Sequence, residues 1–209
     1  MNDLYYNKYI HNKNKYLSLK YNNNQKGGVK EDKKQKYYIL HSTDYKNLKN
    51  IIKTGSLLAN KYLDQKQWRF SGLRTSEYIF TNLVINGQKF SEFGFGLILD
   101  EKLLDDKVGY FNIGWLATPQ KNSIILKPND TKKERDKKMK KIKKVLLNSR
   151  PVLDHELLFK KEINLKDYLI GILIPKKQKK NTKKIKKLLK SSKLDKVKLY
   201  ITDNIPVIN

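Results

Sequence analysis

The stretch YYILHSTDYKNLKNIIKTG, residues 37–55, predicts a strand, a polar turn and a capped helix in close succession. Residues 37–40 are aromatic or β-branched enough to be typical of a buried strand. Asp44 is a preferred N-cap residue, and Gly55 readily adopts the left-handed conformation that ends a helix. The polar residues His41, Ser42 and Thr43 therefore lie where the strand ends, a position at which folds often present ligand-binding groups.

Other segments indicate further strands and two lysine-rich helices. Five segments are predicted strands. Polar groups stand beside apolar ones in 76–82, 95–100 and 154–159, an apolar run occupies 168–175, and polar and apolar residues alternate in 197–202. Helices are predicted at 131–148 and 176–193, each with a sparse apolar stripe. Because the strands outnumber the helices and helical insertions separate them, the pattern favours an α+β domain with a split, mixed or antiparallel sheet.

The positive charge of the chain is extreme for its length of 209 residues. Lysine and arginine total 46 against 20 acidic residues, which gives a formal net charge of +26. Only Arg69, Arg74, Arg135 and Arg150 are arginines, so the composition argues against base-specific nucleic-acid readout. Two interpretations remain open: non-specific attraction to a polyanion, or a compositional bias towards Asn, Ile, Lys and Tyr.

The composition also indicates the cellular compartment and excludes some classes of site. The chain has no cysteine, which excludes disulfides and thiolate metal sites and fits a reducing environment. No apolar run reaches the length of a membrane span, and no zinc-ligand spacing or Walker loop is present. We therefore predict an intracellular protein without a bound metal and without a classical secretion signal.

Residues 1–28 form a separate leader by composition, and residues 29–209 form the predicted domain. Tyr6, Ile10, Leu17 and Tyr21 lie near helical spacing, and an Asn-rich linker ends at Gly27 and Gly28. The leader resembles the N-terminal segments of giant-DNA-virus, mimivirus-like proteins. That resemblance implies a place in the host cytoplasm, a virus factory or a virion. The leader is interpreted either as a weakly docked tail or as an address peptide cleaved near the two glycines.

The segment 56–76 is polar and aromatic together, with little periodicity. It contains Trp68, Arg69 and Arg74, which makes it a candidate lid or acceptor-facing loop. The alternative is an irregular connection whose aromatic side chains pack on the core.

His41, Tyr78 and Glu156 lie in this order on three separate predicted strands. Their order and spacing resemble the ADP-ribosyltransferase (ART/PARP-like) superfamily, whose signature is His, Tyr or His, and Glu around a bound NAD. The resemblance spans residues 37–175 and leaves a basic helix and a strand at 176–209 outside it. It implies that Glu156 is catalytic, that His41 binds the adenosine-side ribose, and that Tyr78 stacks on nicotinamide.

Four further residues follow from the resemblance. Phe80 is an alternative to Tyr78 as the stacking aromatic, and Tyr78 is otherwise a cross-strand packing residue. Ser42 and Thr43 stand where the superfamily usually has Gly and then Thr or Ser, so Ser42 brings a side chain into a space that glycine leaves open. Asp154 occupies the place where arginine-modifying members carry Glu or Gln, which implies contact with the acceptor nucleophile.

The predicted function is therefore that of an NAD-dependent ADP-ribosyltransferase acting on an unidentified protein or nucleic-acid acceptor. Glu156 lies in an otherwise apolar strand, where a carboxylate without a partner is costly. A carboxylate there can stabilise the positive charge that develops on the ribose as nicotinamide leaves. The alternatives are a surface glutamate on an edge strand, and a catalytically inactive or unrelated α+β module that binds nucleic acid or another polyanion through the lysine-rich helices.

Overall fold

The computed structural model describes residues 36–63, 76–88, 94–114, 116, 118–148 and 155–208. Within these ranges the strands are β1 (Tyr37–Thr43), β2 (Ser56–Leu58), β3 (Tyr78–Ile85), β4 (Phe95–Leu99), β5 (Gly109–Ile113), β6 (Ile124–Leu126), β7 (His155–Lys160), β8 (Glu162–Asn164), β9 (Leu169–Ile174) and β10 (Lys198–Ile201). The α-helices are α1 (Tyr45–Thr54), α2 (Leu103–Asp106), α3 (Lys132–Asn148), α4 (Leu165–Tyr168) and α5 (Thr182–Ser191), and short 3-10 helices form at Asn60–Tyr62 and Lys176–Asn181.

Eight strands form one mixed sheet in the order β10-β9-β4-β1-β3-β7-β5-β6. Its pairs are antiparallel except for β9 and β10, which are parallel. Strands β2 and β8 form a separate antiparallel pair. This architecture confirms the α+β class and the mixed sheet predicted from the sequence.

The sheet is split along β3, whose two halves pair with different neighbours. Residues 82–85 of β3 pair with β1, starting at Leu40 opposite Asn82. Residues 78–81 pair with β7, ending at Thr81 opposite Leu157. The ends of β1 and β7 therefore diverge from β3 in opposite directions, and ladder hydrogen bonds are interrupted at the point of divergence.

Polar side chains replace these missing ladder bonds. Each of them bonds a backbone carbonyl beside the split: His41 Nδ1 to Phe80 O at 2.8 Å, Thr81 Oγ1 to Leu157 O at 2.6 Å, Asn82 Nδ2 to His155 O at 2.6 Å, and His155 Nε2 to Leu83 O at 2.7 Å. Thr81, Asn82 and His155 are buried, and a buried carbonyl without a partner would be costly. The split is therefore stabilised by specific side chains.

Helix α1 has the ends that the sequence predicts. Asp44 accepts a hydrogen bond from the Asn47 backbone N–H at 2.7 Å, and Gly55 ends the helix with φ 74°. Leu48 and Ile52 are fully buried against the sheet. The helix thus leaves β1 directly, with its N-terminus beside the polar end of that strand.

Helices α1, α3 and α5 cover one face of the sheet with a single apolar core. Their buried residues include Leu48 and Ile52, then Ile142, Val145 and Leu146, and finally Ile185 and Leu189. A smaller core on the opposite face contains Tyr38, Leu40, Val84, Ile98, Leu173 and Ile205. Among the described residues, no helix combines the length and the hydrophobicity that crossing a membrane requires.

Three details differ from the sequence-based expectation. The helix predicted at 176–193 is a 3-10 helix at Lys176–Asn181 followed by α5. Strand β7 lies between β3 and β5, so the interpretation of Glu156 as a surface residue on an edge strand is wrong. The segment 56–76, expected to be a loop, begins with strand β2 and the 3-10 helix Asn60–Tyr62; β2 pairs with β8 across 104 to 108 positions, and no local signal predicts such a pair.

Candidate functional site

A pocket of about 420 Å³ opens beside the polar end of β1. Its walls come from the end of β1, one side of α1, strand β2 and the 3-10 helix that follows β2. The lining residues are His41, Ser42, Thr43, Asp44, Asn47, Asn50, Ile51, Thr54, Ser56, Leu57, Leu58, Asn60, Tyr62 and Leu63. A volume of this size lies in the range of small-molecule and cofactor sites, which is about 300–1,000 Å³.

His41 is half-buried, and its hydrogen bond defines its tautomer. The Phe80 carbonyl can only accept, so Nδ1 carries the proton in this contact. Burial lowers the pKa of the His41 imidazole below its usual 6.5, and the hydrogen bond to Phe80 offsets only part of that effect. At neutral pH the ring is therefore uncharged, and Nε2 is a hydrogen-bond acceptor.

Ser42 and Thr43 form the next part of the pocket wall. Among the described residues Ser42 Oγ is buried without a hydrogen-bond partner, a state that costs about 1–3 kcal/mol. Thr43 is buried and pairs with Phe95 of β4. Gly94 lies against its carbonyl so closely that an added Cβ would stand 2.7 Å from Thr43 O. The backbone of this wall is therefore tightly fixed.

Glu156 is buried with a relative exposure of 1 %. Its Oε1 accepts hydrogen bonds from Asn112 Nδ2 at 2.8 Å and from the Leu116 backbone N–H at 2.9 Å. Bonds to an ionised acceptor contribute about 1.5–3 kcal/mol each and offset part of the cost of burying the charge. The carboxylate is thus held in place by β5 and by the backbone that follows β5.

Glu156 and His41 lie on strands that flank β3 at the split. One strand, β3, lies between them in the order of the sheet. The register of the pairs places Ser42, Phe80 and Glu156 on one face of the sheet, and His41 on the face covered by the helices. Glu156, Tyr78 and Phe80 do not line the pocket beside His41.

Tyr78 and Phe80 are half-buried on β3. Tyr78 stands edge-on to Tyr110, with ring centroids 5.8 Å apart. Its backbone pairs with Lys160, and that of Phe80 pairs with Leu158. Both aromatic side chains share the face of Glu156.

Several residues predicted from the sequence lie outside the described part of the chain. They are Trp68, Arg69 and Arg74 of the candidate lid, Asp154 beside the glutamate strand, and the whole leader at 1–28.

Sequence reasoning missed Asn112, the side chain that holds Glu156. Asn112 is buried and interrupts an apolar strand, as Glu156 does, so the same argument applied to residues 109–113 would have found it. It also missed Asn47 and Asn50 as pocket residues, because their place on α1 matters only once α1 packs beside β2.

Comparison with solved structures identifies the fold. DarT from Thermus sp. 2.9, an ADP-ribosyltransferase, matches in complex with carba-NAD+ and in complex with ADP-ribosylated ssDNA. In both cases the TM-score is 0.50, the identity is 13% and 79% of this chain is covered, together with 95% and 94% of the DarT chain. The protein therefore has the fold of an ADP-ribosyltransferase of the DarT type. This confirms the structural class that the sequence resemblance implied.

The chain belongs to a family of unknown function, DUF5846, whose model matches residues 34–149. Over 183 residues it is 30% identical to "Uncharacterized protein R11" of Acanthamoeba polyphaga mimivirus. The match covers 81% of this chain and 65% of R11. A mimivirus relative agrees with the viral resemblance of the leader.

Proposed function

We propose that the protein is an NAD-dependent ADP-ribosyltransferase. The observation that carries the proposal is the position of Glu156: a buried, doubly hydrogen-bonded carboxylate beside the split of a DarT-type sheet, two strands from His41. The two DarT complexes both involve NAD chemistry, one with carba-NAD+ and one with an ADP-ribosylated product. A carboxylate kept in an apolar strand is costly, which favours a chemical role.

The pocket residues fit the sugar part of NAD. The uncharged His41 ring offers Nε2 as an acceptor for a ribose hydroxyl, and Asn47 and Asn50 add amide groups. The unpartnered Ser42 hydroxyl is suited to a polar ligand group. None of the described lining residues is lysine or arginine, so the pyrophosphate would be bound by other groups. A ligand that contacts both His41 and Glu156 has to pass the split, since the two side chains lie on different faces.

Glu156 would act on the nicotinamide ribose. The bond from C1′ to the nicotinamide nitrogen breaks, and its electron pair returns to the ring, which leaves as neutral nicotinamide. The Glu156 carboxylate stabilises the positive charge that develops on the ribose, as carboxylates do in glycosidases. A nucleophilic atom of the acceptor then bonds to C1′ and gives its proton to a base, a role for which the sequence offers Asp154.

The remaining site residues have supporting roles in this proposal. Tyr78 or Phe80 would stack on nicotinamide, since both lie on the Glu156 face. The Thr43 backbone, fixed by Gly94, would border the nicotinamide end together with Ser42. Arg69, Arg74 and Trp68 would face the acceptor.

We favour a nucleic acid as the acceptor class. One DarT complex carries ADP-ribosylated single-stranded DNA, and the present chain has a net charge of +26 that attracts polyanions. The mimivirus relative favours action in a virus factory or in a virion.

The test is nicotinamide release and transfer of label from radiolabelled NAD, with and without single-stranded DNA. Glu156→Gln preserves shape and removes the charge, and it should lower the rate by about 10²- to 10³-fold, as expected for one electrostatic group. The control is Glu101→Gln, an exposed glutamate of the turn that follows β4. The same loss in both variants, or none in Glu156→Gln, would refute the assignment.

A second candidate function is a catalytically inactive module that binds nucleic acid. It is favoured by one observation: Glu156 has only 1 % exposure and does not line the pocket beside His41. Salt-sensitive binding of DNA without nicotinamide release, unchanged in Glu156→Gln, would support this candidate over the enzyme.

A further inference from the structure

The segment 176–198 is the most one-sidedly charged part of the described chain. It holds twelve lysines against the single carboxylate of Asp195. All twelve lysines are exposed. They lie on the 3-10 helix Lys176–Asn181, on α5, and on the turn that leads to β10. We call this the α5 surface.

Acidic residues are scarce along the α5 surface: Asp195 belongs to the segment itself, and Asp203 accepts a hydrogen bond from the Lys176 backbone N–H at 3.1 Å. Among the described residues, none of the nine lysines between Lys176 and Ser191 forms an ion pair. Neither helix of the surface has an acidic residue in its first turn. Like charges at i, i+3 and i, i+4 cost about 0.2–0.5 kcal/mol per pair, and lysines near a helix N-terminus oppose its dipole. Buried Ile185 and Leu189 stabilise α5 despite this repulsion.

Helix α3 is also rich in lysine, but acidic residues lie within and around it. Lys138 pairs with Asp130, and Arg135 lies 3.5 Å from Asp105. Glu134 and Asp136 belong to the helix itself. Its positive charge is therefore partly neutralised, in contrast to that of α5.

The α5 surface also contains grooves. Two adjoining grooves, of about 660 and 770 Å³, flank the turn between α5 and β10. They share Lys193, Asp195, Val197 and Lys198. Further lysines line one groove or the other: Lys166, Lys186, Lys190 and Lys196. A chain of phosphates can follow such a groove with cations on both sides.

The α5 surface lies close to the candidate active site. Helix α5 packs beside α1, and α1 supplies Asn47, Asn50, Ile51 and Thr54 to the pocket wall. One helix, about 10 Å wide, therefore separates the surface from the pocket. A long polymer bound on α5 can reach past α1.

We propose that the α5 surface binds the phosphate backbone of a nucleic acid independently of sequence. The segment contains no arginine, so it lacks the bidentate groups that read base edges. None of the exposed large hydrophobic residues lies within 176–198, so the surface lacks the apolar anchors of a membrane-binding helix. The inference goes beyond the proposed function and does not depend on NAD chemistry, because binding is measured without NAD.

The test measures the affinity of the full chain for a fluorescein-labelled, mixed-sequence single-stranded oligonucleotide over a range of salt concentrations. One variant carries Lys183→Ala, Lys186→Ala, Lys187→Ala and Lys190→Ala, one face of α5. The matched control carries Lys133→Ala, Lys137→Ala, Lys140→Ala and Lys141→Ala, four exposed lysines of one side of α3. Both variants remove four charges and favour helix formation.

The α5 variant should bind at least tenfold more weakly. The plot of log K against log salt has a negative slope, and its steepness should decrease by about 2 to 3 in the α5 variant. Each phosphate that the protein no longer neutralises reduces the steepness by roughly 0.7. The α3 control should change the affinity less than threefold. The melting temperature of the α5 variant should equal or exceed that of the wild type, because repulsion is removed. Nicotinamide release without DNA should be unchanged, which separates this inference from the catalytic one.

Equal losses in both variants would mean that net charge alone attracts DNA, and would overturn the proposal. No loss in the α5 variant would overturn it as well. Binding to vesicles of phosphatidylserine and phosphatidylcholine in place of the oligonucleotide would assign the surface to a membrane instead.

Discussion

Removing the Asn112 side chain should destabilise the protein, and its bond to Glu156 should be the largest single loss. Asn112 Nδ2 donates to Glu156 Oε1 at 2.8 Å and to Thr118 O at 2.9 Å, and Asn112 Oδ1 accepts from Ser123 Oγ. Both Asn112 and Glu156 are buried. A hydrogen bond to a buried charge contributes about 1.5–3 kcal/mol, against about 1 kcal/mol for a neutral one. Asn112→Ala removes one bond to the carboxylate and two neutral bonds, so we expect it to lower the free energy of unfolding by about 4 kcal/mol.

In a chain that already carries Glu156→Gln, the same substitution should cost about 3 kcal/mol, because all three hydrogen bonds that it removes are then neutral. The coupling between the two positions is then about 1 kcal/mol. Glu156→Gln alone should change the stability by less than about 2 kcal/mol, since the weaker bonds of a neutral acceptor are offset by a lower desolvation cost. In a chain of this size that limit corresponds to about 4–8 °C in Tm.

The assay is a double-mutant cycle by urea unfolding, with the four proteins at one pH. A second readout is the rate of nicotinamide release by Asn112→Ala, which should fall because the Glu156 carboxylate loses the amide donor that holds its Oε1. A control cycle pairs Asn112→Ala with Glu101→Gln, which should be additive within about 0.5 kcal/mol. Additivity in the Asn112 and Glu156 cycle as well would refute the claim that the bond anchors a charged carboxylate.

Two further predictions concern the pocket wall. The pKa of His41 is lower in the folded protein than its usual value of about 6.5, so between these two values the unfolded chain binds more protons. The free energy of unfolding should therefore fall as the pH drops through this window, by at most about 1.4 kcal/mol per pH unit. Thermal unfolding at a series of pH values should show a smaller slope in His41→Asn than in the wild type. An equal slope in both proteins would contradict it. At Gly94, φ is 92° and an added Cβ would stand 2.7 Å from Thr43 O, whereas at Gly87, φ is 86° and an added Cβ would meet open space. We expect Gly87→Ala to lower the free energy of unfolding by about 1 kcal/mol and Gly94→Ala to lower it by at least about 2 kcal/mol more, measured by urea unfolding. Calorimetry should show weaker NAD binding only in Gly94→Ala. Equal losses would show that backbone strain, not the contact with Thr43, is the cause.

The local elements of this protein could be predicted because their causes are local. Asp44 and Gly55 define the ends of α1 through their own side chain and backbone preferences. The apolar run 169–174 forms β9, and the α+β class follows from the balance of strands and helices. The order of His41, Tyr78 and Glu156 on three strands also sufficed to indicate the fold now shared with DarT.

Capping and periodicity act over a few residues, so the amino-acid sequence specifies where most strands and α1 lie and which polar residues end them. The division of β3 between β1 and β7, the bond from Asn112 to Glu156, and the placement of His41 and Glu156 on opposite faces arise only when the sheet assembles. At the split, register and the choice of partner strand depend on contacts between residues 42 to 82 positions apart, from Leu40 opposite Asn82 to Tyr78 opposite Lys160, and no local preference specifies them.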